Sequence, residues 1–165
     1  MTRDHAAARA RRRCRPLTPA YRLAIARAFA EGASLRGTAE AVRVDPAQLH
    51  RWIHSDAELR RLVRLGLFVA VAHELQERGF PAGVGDEDAH EIERALFAPA
   101  REREALLGPW LEPDEDALVD VVADIALRLG PERVATRLVG LVERVYELEG
   151  WQRRQALVRL LGTWR

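Results

Sequence analysis

Apolar residues recur at helical spacing in two short, adjacent segments of the first third of the chain: Leu35, Ala39 and Val42, then Leu49 with Trp52 or Ile53. Recurrence every three to four residues predicts an amphipathic helix for each segment. Ser34 has the side chain of an N-cap for the first helix and Asp45 for the second, and Pro46 follows Asp45 at the first helical position, where a missing N–H does no harm. The pattern therefore predicts two helices that meet at an angle across a tight turn.

Two further helices flank this pair. The first should begin at Pro19 after the cap residue Thr18 and end near Ala30, with its inner face made of Tyr21, Ile25 and Phe29. The second should begin after the cap residue Asp56 and run to about residue 78. Residues 65–72 of this helix are apolar on every side, which predicts that it is buried against the rest of the chain or a second subunit.

The C-terminal half also has helical periodicity. We expect a helix near residues 87–97, a short one that ends at Gly108, a break at 109–113, and three final helices that form an antiparallel bundle. No strand pattern competes. The prediction is an all-α protein with an N-terminal three-helix head, a long connector helix and a C-terminal helical bundle. Its expected divisions are a basic arm (1–17), the head (18–55), the connector (56–80) and an acidic helical body (86–165).

Charge divides the chain more sharply than the net value of +1 indicates. Residues 1–64 contain 14 arginines and 6 acidic residues, whereas residues 86–124 contain 3 arginines and 13 acidic residues. The N-terminal part therefore suits a polyanion, and the acidic part suits assembly or a protein partner. All 26 basic residues are arginine, a bias that GC-rich coding in a bacterium or its phage explains, although arginine is also the better phosphate and guanine ligand.

The segment Thr38-Ala39-Glu40-Ala41-Val42-Arg43-Val44, followed by Gln48-Leu49-His50-Arg51-Trp52, resembles the DNA-binding helix-turn-helix of transposases, resolvases and phage small terminase subunits. The resemblance covers residues 21–62. It implies that Ala39 lets the two helices approach, that Val44 fills the corner, and that Leu49 and Trp52 anchor the second helix. Residues 34–59 are also similar, in second rank, to regulators of the tetracycline-repressor type.

Arg43 departs from the resembled motif, which usually has glycine at this turn position. A left-handed backbone there costs a residue with a side chain about 1 kcal/mol. Either the turn is reshaped, or Arg43 offsets the strain by reaching a phosphate.

Candidate DNA contacts follow from the outward face of the second helix and from the arm. Gln48 suits adenine, Arg51 suits guanine or phosphate, and His50 suits either, with a pH-dependent charge. The basic arm either follows the duplex or is a solvated tail. The full set of expected DNA-binding residues is Arg36, Arg43, Gln48, His50, Arg51, His54, Arg11, Arg12 and Arg13.

Other chemistry is not expected. His50 and His54 have the i, i+4 spacing of zinc ligands, but no neighbour completes a site, so we predict no metal and no cofactor. The acidic clusters suit a solvated face, and no nucleophile, base or phosphate-binding loop indicates an enzyme. The single Cys14 and the short apolar runs predict a cytoplasmic protein without a membrane span.

These features predict a non-enzymatic protein that binds double-stranded DNA, most like a phage small terminase or transposon-type recognition subunit, and that oligomerises through its helical body. Two alternatives remain. One is a transcriptional repressor that binds DNA as a dimer, and the other is a protein interaction module in which the helix-turn-helix is only structural.

Overall fold

The computed structural model describes residues 16–79, 85–114, 117–145 and 148–164. These residues form α-helices and no strands, so the all-α prediction is confirmed for the part of the chain described. In chain order the helices are α1 (Pro19–Ala30), α2 (Leu35–Ala41), α3 (Pro46–Ser55), α4 (Ala57–Glu77), α5 (Asp86–Phe97), α6 (Ala100–Leu111), α7 (Leu118–Leu129), α8 (Pro131–Val145) and α9 (Gly150–Gly162).

The N-terminal ends of α1 to α4 are set by side-chain caps at the residues that the sequence predicts. Thr18, Ser34, Asp45 and Asp56 each accept a hydrogen bond from a backbone N–H in the first turn of the helix that follows. These bonds satisfy amides that have no partner inside the helix. Because the caps are local, the order and starting points of these four helices follow directly from the sequence.

Helix α4 is the axis of the fold. It packs against α1 on one side and against α5, α7 and α8 on the others. Residues 65–72 are all buried, as their apolar pattern predicts, and they are covered within a single copy of the chain. The hydrophobic core is continuous from Leu23 in α1 to Leu161 in α9.

Helices α1 and α4 are in close backbone contact at Gly66. A Cβ atom at this position would lie 2.3 Å from the carbonyl oxygen of Ala26 and 3.2 Å from the amide nitrogen of Ala30. Both obstructing atoms belong to the backbone of α1, so no side-chain rotation relieves the contact. The close packing of the two helices therefore requires a residue without a side chain at position 66.

The predicted end of α6 at Gly108, with a break from residue 109, is wrong. The helix continues through Gly108 and includes Pro109 before it ends at Leu111. A proline in the last turn removes only one backbone hydrogen bond, which costs less there than in mid-helix. Arg61 of α4 also supports this end, because its Nε donates to the carbonyl of Trp110 at 2.6 Å and its Nη2 to the carbonyl of Glu112 at 3.2 Å.

Two arginines in the first half of α4, Arg61 and Arg64, form ion pairs with carboxylates of α7. Arg61 is 7% exposed and pairs with Asp120 of α7, which is 1% exposed. Asp120 also accepts a hydrogen bond from the backbone N–H of Asp114 at 2.8 Å. Arg64 pairs with Asp124 at 2.6 Å. These groups form an ion-pair cluster that fixes α4 to α7 and to the end of α6.

Asp56 joins two helices, because it ends α3 and caps α4. Its carboxylate also accepts hydrogen bonds from two nitrogens of Arg22, the closer at 2.6 Å. The hydrogen bond from Arg22 holds the pKa of Asp56 below its ordinary value.

We expect Asp56→Asn, which keeps a capping oxygen but loses the charge, to lower the free energy of unfolding by about 1 kcal/mol at neutral pH. The wild-type advantage should be complete above the ordinary carboxyl pKa of about 3.9 and should disappear as the pH falls through the lower folded-state pKa. Urea unfolding of both proteins from neutral to acidic pH measures this difference. A difference that does not change with pH would show that the charge of Asp56 contributes nothing.

Candidate nucleic-acid interface

Helices α2 and α3 are held together by the residues that the sequence assigns to their contact. Ala39, Leu49 and Ile53 are 1% exposed or less, and Val44 is buried between the helices. The backbone N–H of Val44 donates to the carbonyl of Ala39 at 2.9 Å, which closes the connection. Seven residues of α2, four connecting residues and ten residues of α3 thus form one compact unit.

Tyr21 of α1 contacts both helices of this unit, a role that the sequence pattern did not reveal. Its ring meets Trp52 edge to face at a centroid distance of 5.9 Å, and its hydroxyl donates to the carbonyl of Val42. Val42 is the residue at the end of α2, so Tyr21 contacts both helices of the pair. The available signal was a polar hydroxyl at an inward helical position, which requires a hydrogen-bond partner when buried.

Arg43 adopts the left-handed backbone conformation, with a φ of 57°. Within the described residues it is the only residue other than glycine with a positive φ. The turn is therefore not reshaped to avoid the strain. Arg43 is exposed and lies in the turn between α2 and α3, three residues before α3 begins.

The exposed face of α3 carries the expected polar residues. Arg51 and His50 are exposed, and Gln48 is half-buried. Arg51 Nη2 donates to Gln48 Oε1 at 2.6 Å, so the two side chains form one unit with the guanidinium outermost. This bond uses one guanidinium donor of Arg51 and the amide oxygen of Gln48, so it involves neither the amide donors of Gln48 nor the other donors of Arg51.

His50 and His54 contact each other at the edge of this face. Their Nε2 atoms are 3.0 Å apart, and their ring centroids are 4.2 Å apart. One neutral imidazole donates and the other accepts in such a contact. No third His, Cys, Asp or Glu joins them, and the described residues contain no group of three such side chains that could hold a metal ion.

Five of the eight arginines in residues 16–64, the described section of the N-terminal part, bind carboxylates or backbone carbonyls of the protein. Arg22 binds Asp56, Arg60 donates to the carbonyls of Ile53 and His54, and Arg61 and Arg64 join the ion-pair cluster. Arg27 donates to the carbonyl of Leu96 at 2.7 Å, and burial lowers its pKa from the ordinary value.

The cationic surface of α2 and α3 is therefore smaller than the count of arginines indicates. In this two-helix unit the exposed arginines are Arg36, Arg43 and Arg51, and all three are among the expected DNA contacts. Arg11, Arg12 and Arg13, together with the rest of residues 1–15 of the basic arm, lie outside the described residues.

No protein-family model matches the sequence, and comparisons with curated proteins and with solved structures found no match either. Within the described residues, no helix is both long enough and apolar enough to cross a lipid bilayer.

Proposed function

We propose that the protein binds double-stranded DNA through a helix-turn-helix made of α2 and α3, with α1 as the supporting helix of an N-terminal three-helix head. The helices α5 to α9 form a bundle-like body that assembles copies of the chain or binds a protein partner. In this proposal the protein is a non-enzymatic recognition subunit, most like a phage small terminase or a transposon-type protein.

The conformation of Arg43 carries this proposal. A left-handed non-glycine residue costs roughly 1–2 kcal/mol, and glycine at the same position would avoid most of that cost. Such strain persists where the surrounding structure imposes it and is concentrated at functional sites. An exposed guanidinium at the corner before a candidate recognition helix is well placed to bind a phosphate, which would offset the strain when DNA is bound.

The dimensions of α3 support the same interpretation. Its ten residues give a length of about 15 Å, which suits a major groove about 12 Å wide. Gln48 in its first turn and Arg51 near its centre have the donors that pair with adenine and guanine edges. With so few base-reading side chains, much of the affinity should come from arginine contacts to phosphate, and it should therefore fall steeply with salt.

We expect the double variant His50→Ala with Arg51→Ala to weaken duplex binding by about 5- to 150-fold, the loss of one good base or phosphate contact. Fluorescence anisotropy with a pool of random-sequence duplexes at moderate salt measures this loss. Arg101→Ala is the matched control, because the Arg101 side chain is 83% exposed and lies on α6. If both proteins bind the duplexes equally well, α3 is not a recognition helix, and the interaction-module alternative becomes the better explanation.

Arg43→Gly separates strain from binding. We expect the variant to be more stable than wild type by up to about 1 kcal/mol, because glycine adopts a positive φ without penalty. We also expect weaker duplex binding and a salt dependence reduced by about one released counterion. Urea unfolding and salt-dependent anisotropy measure the two effects. Greater stability with unchanged DNA affinity would show that Arg43 does not contact DNA.

One observation favours the repressor alternative as a second candidate. Helix α4 is separated from α3 by the single residue Asp56 and extends through the core of the C-terminal helices, which gives the continuous connection between body and head that a regulator requires. The subunit count in solution discriminates between the two candidates. A dimer with paired half-sites about 34–36 Å apart favours a regulator, whereas a ring of many copies favours packaging.

A further inference from the structure

His50 and His54 form a pair of imidazoles on the surface of α3. They are four residues apart, so the helix places them on one face, and both are exposed. Their Nε2 atoms are 3.0 Å apart, whereas their ring centroids are 4.2 Å apart. Because the nitrogens are closer together than the rings, the two imidazoles converge at their Nε2 ends.

The separation of the two nitrogens suits a shared metal ion. Zn²⁺ binds imidazole nitrogen at about 2.0–2.1 Å, so two nitrogens 3.0 Å apart form an angle of about 95° at a common ion. This angle lies between the roughly 90° of square-planar or octahedral coordination and the roughly 109° of tetrahedral coordination. Both nitrogens can therefore reach one ion through small rotations of the rings.

The backbone that carries the two histidines is fixed from the opposite side of α3. Leu49 and Ile53 are 1% exposed or less and hold this side of the helix in the core. Asp45 caps the helix by accepting a hydrogen bond from the backbone N–H of Ala47 at 2.9 Å. Since the helix is already ordered, an ion would only have to fix the side-chain rotamers of its two ligands.

The surroundings of the pair leave room for the remaining ligands of an ion. Both histidines line a cavity of about 720 Å³ between α3 and the corner of α7 and α8. Its charged lining residues are Glu74, Glu132, Arg128 and Arg133, so acidic and basic side chains are balanced. Among the described residues, no third His, Cys, Asp or Glu completes a group of metal ligands. Water molecules would therefore occupy the other coordination positions.

The donor atoms determine which ions fit. Imidazole nitrogen suits Cu²⁺, Ni²⁺ and Zn²⁺, whereas Mg²⁺ and Ca²⁺ prefer oxygen ligands. Among the first three ions, a given site usually binds Cu²⁺ most tightly. The sequence predicts no metal because no third ligand follows the histidines. The structure adds what spacing alone does not give, namely that the two nitrogens are close enough to act together.

We propose that His50 and His54 chelate a divalent transition-metal ion through their Nε2 atoms, with water at the remaining coordination positions. Each imidazole replaces one water molecule of the hydrated ion and binds in its neutral form. The histidine whose Nε2 carries the proton in the metal-free pair becomes the Nδ1–H tautomer, so its Nε2 lone pair is free for the ion. This site does not depend on the proposed DNA-binding function, because the chain and water supply all of its ligands.

Calorimetric titration of the full chain with Zn²⁺ tests the chelate. His50→Ala and His54→Ala should each raise the Kd for Zn²⁺ by about tenfold or more, and the double variant should lose little beyond either single variant. Such non-additivity is expected because one histidine alone cannot chelate. Mg²⁺ should give no saturable binding. Losses that simply add in the double variant would indicate two independent weak sites and would overturn the chelate.

His54→Ala combined with Ser55→His is the matched control for spacing. This variant keeps the number of histidines, but the second imidazole moves to a position about 140° around the helix from His50. Zn²⁺ binding should therefore stay as weak as in His54→Ala, and recovery of the wild-type Kd would overturn the proposed geometry. His90→Ala removes an exposed histidine of α5 and should bind Zn²⁺ like the wild type.

Two further measurements do not depend on calorimetry. Zn²⁺ at about a hundredfold excess over its Kd should raise the thermal unfolding midpoint of the wild type by about 5–10 °C and leave that of His50→Ala unchanged. Equal midpoints of the metal-free proteins establish that the variant is folded. Electron paramagnetic resonance of the Cu²⁺ complex should show coupling to two imidazole nitrogens in the wild type and to one in either single variant. Coupling to a single nitrogen in the wild type would overturn the proposal.

Discussion

Gly66→Ala is expected to destabilise the protein more than any other single methyl addition in the described helices. The added Cβ would lie 2.3 Å from the carbonyl oxygen of Ala26, so α1 and α4 must move apart where they pack against each other. Overpacking usually costs about 1–3 kcal/mol, and we expect at least the upper value because backbone atoms form the obstruction. Thermal unfolding should occur about 10 °C lower than in the wild type.

Gly140→Ala is the matched control for this experiment. Gly140 is exposed within α8, and a Cβ there would meet nothing within 4 Å. Since alanine is the better helix former, the control should gain up to about 1 kcal/mol. If Gly66→Ala were also stabilised, α1 and α4 could not be as close as the structure places them.

Asp120→Asn is expected to have the second large effect. Asp120 is 1% exposed and faces Arg61, whose side chain is 8% exposed, so loss of the carboxylate leaves a buried guanidinium without its counter-charge. Breaking a buried ion pair from one side costs about 3–5 kcal/mol. Urea unfolding measures the loss, and the same variant should loosen the end of α6, because Arg61 also binds the carbonyls of Trp110 and Glu112.

Two further variants establish the cause. Asp124→Asn removes a carboxylate that is 31% exposed and should cost about 1 kcal/mol or less. Arg61→Met combined with Asp120→Leu removes both charges and should recover much of the stability that Asp120→Asn loses. Equal losses for Asp120→Asn and Asp124→Asn would mean that burial of the charge is not what makes Asp120 important.

The parts of the fold that depend on local sequence could be predicted. The cap residues Thr18, Ser34, Asp45 and Asp56 act within one helical turn, and the apolar stretch 65–72 can be satisfied only by burial. The end of α6 could not be predicted in this way. Pro109 resembles a helix stop in the sequence. The residue that supports the end of this helix is Arg61 of α4, which is far from it in the sequence.

The candidate interface shows the same division. The inward positions of Ala39 and Leu49 follow from helical spacing, and the positive φ of Arg43 was one of the two outcomes that its sequence position allowed. Whether the other arginines are available at the surface depends on partners that are distant in the sequence. Arg27 meets the carbonyl of Leu96, and Arg61 meets Asp120, so counting charge along the chain overestimates what these helices offer to DNA.

The direct junction between α3 and α4 has a mechanical consequence. With 21 residues, α4 is a rigid lever about 31 Å long, and α3 is attached at its end. A tilt of about 5° at the far end of α4 displaces α3 by about 3 Å, close to the 3.4 Å rise between neighbouring base pairs. If α3 binds the major groove as proposed, a tilt of this size would therefore move it by nearly one base step along the duplex.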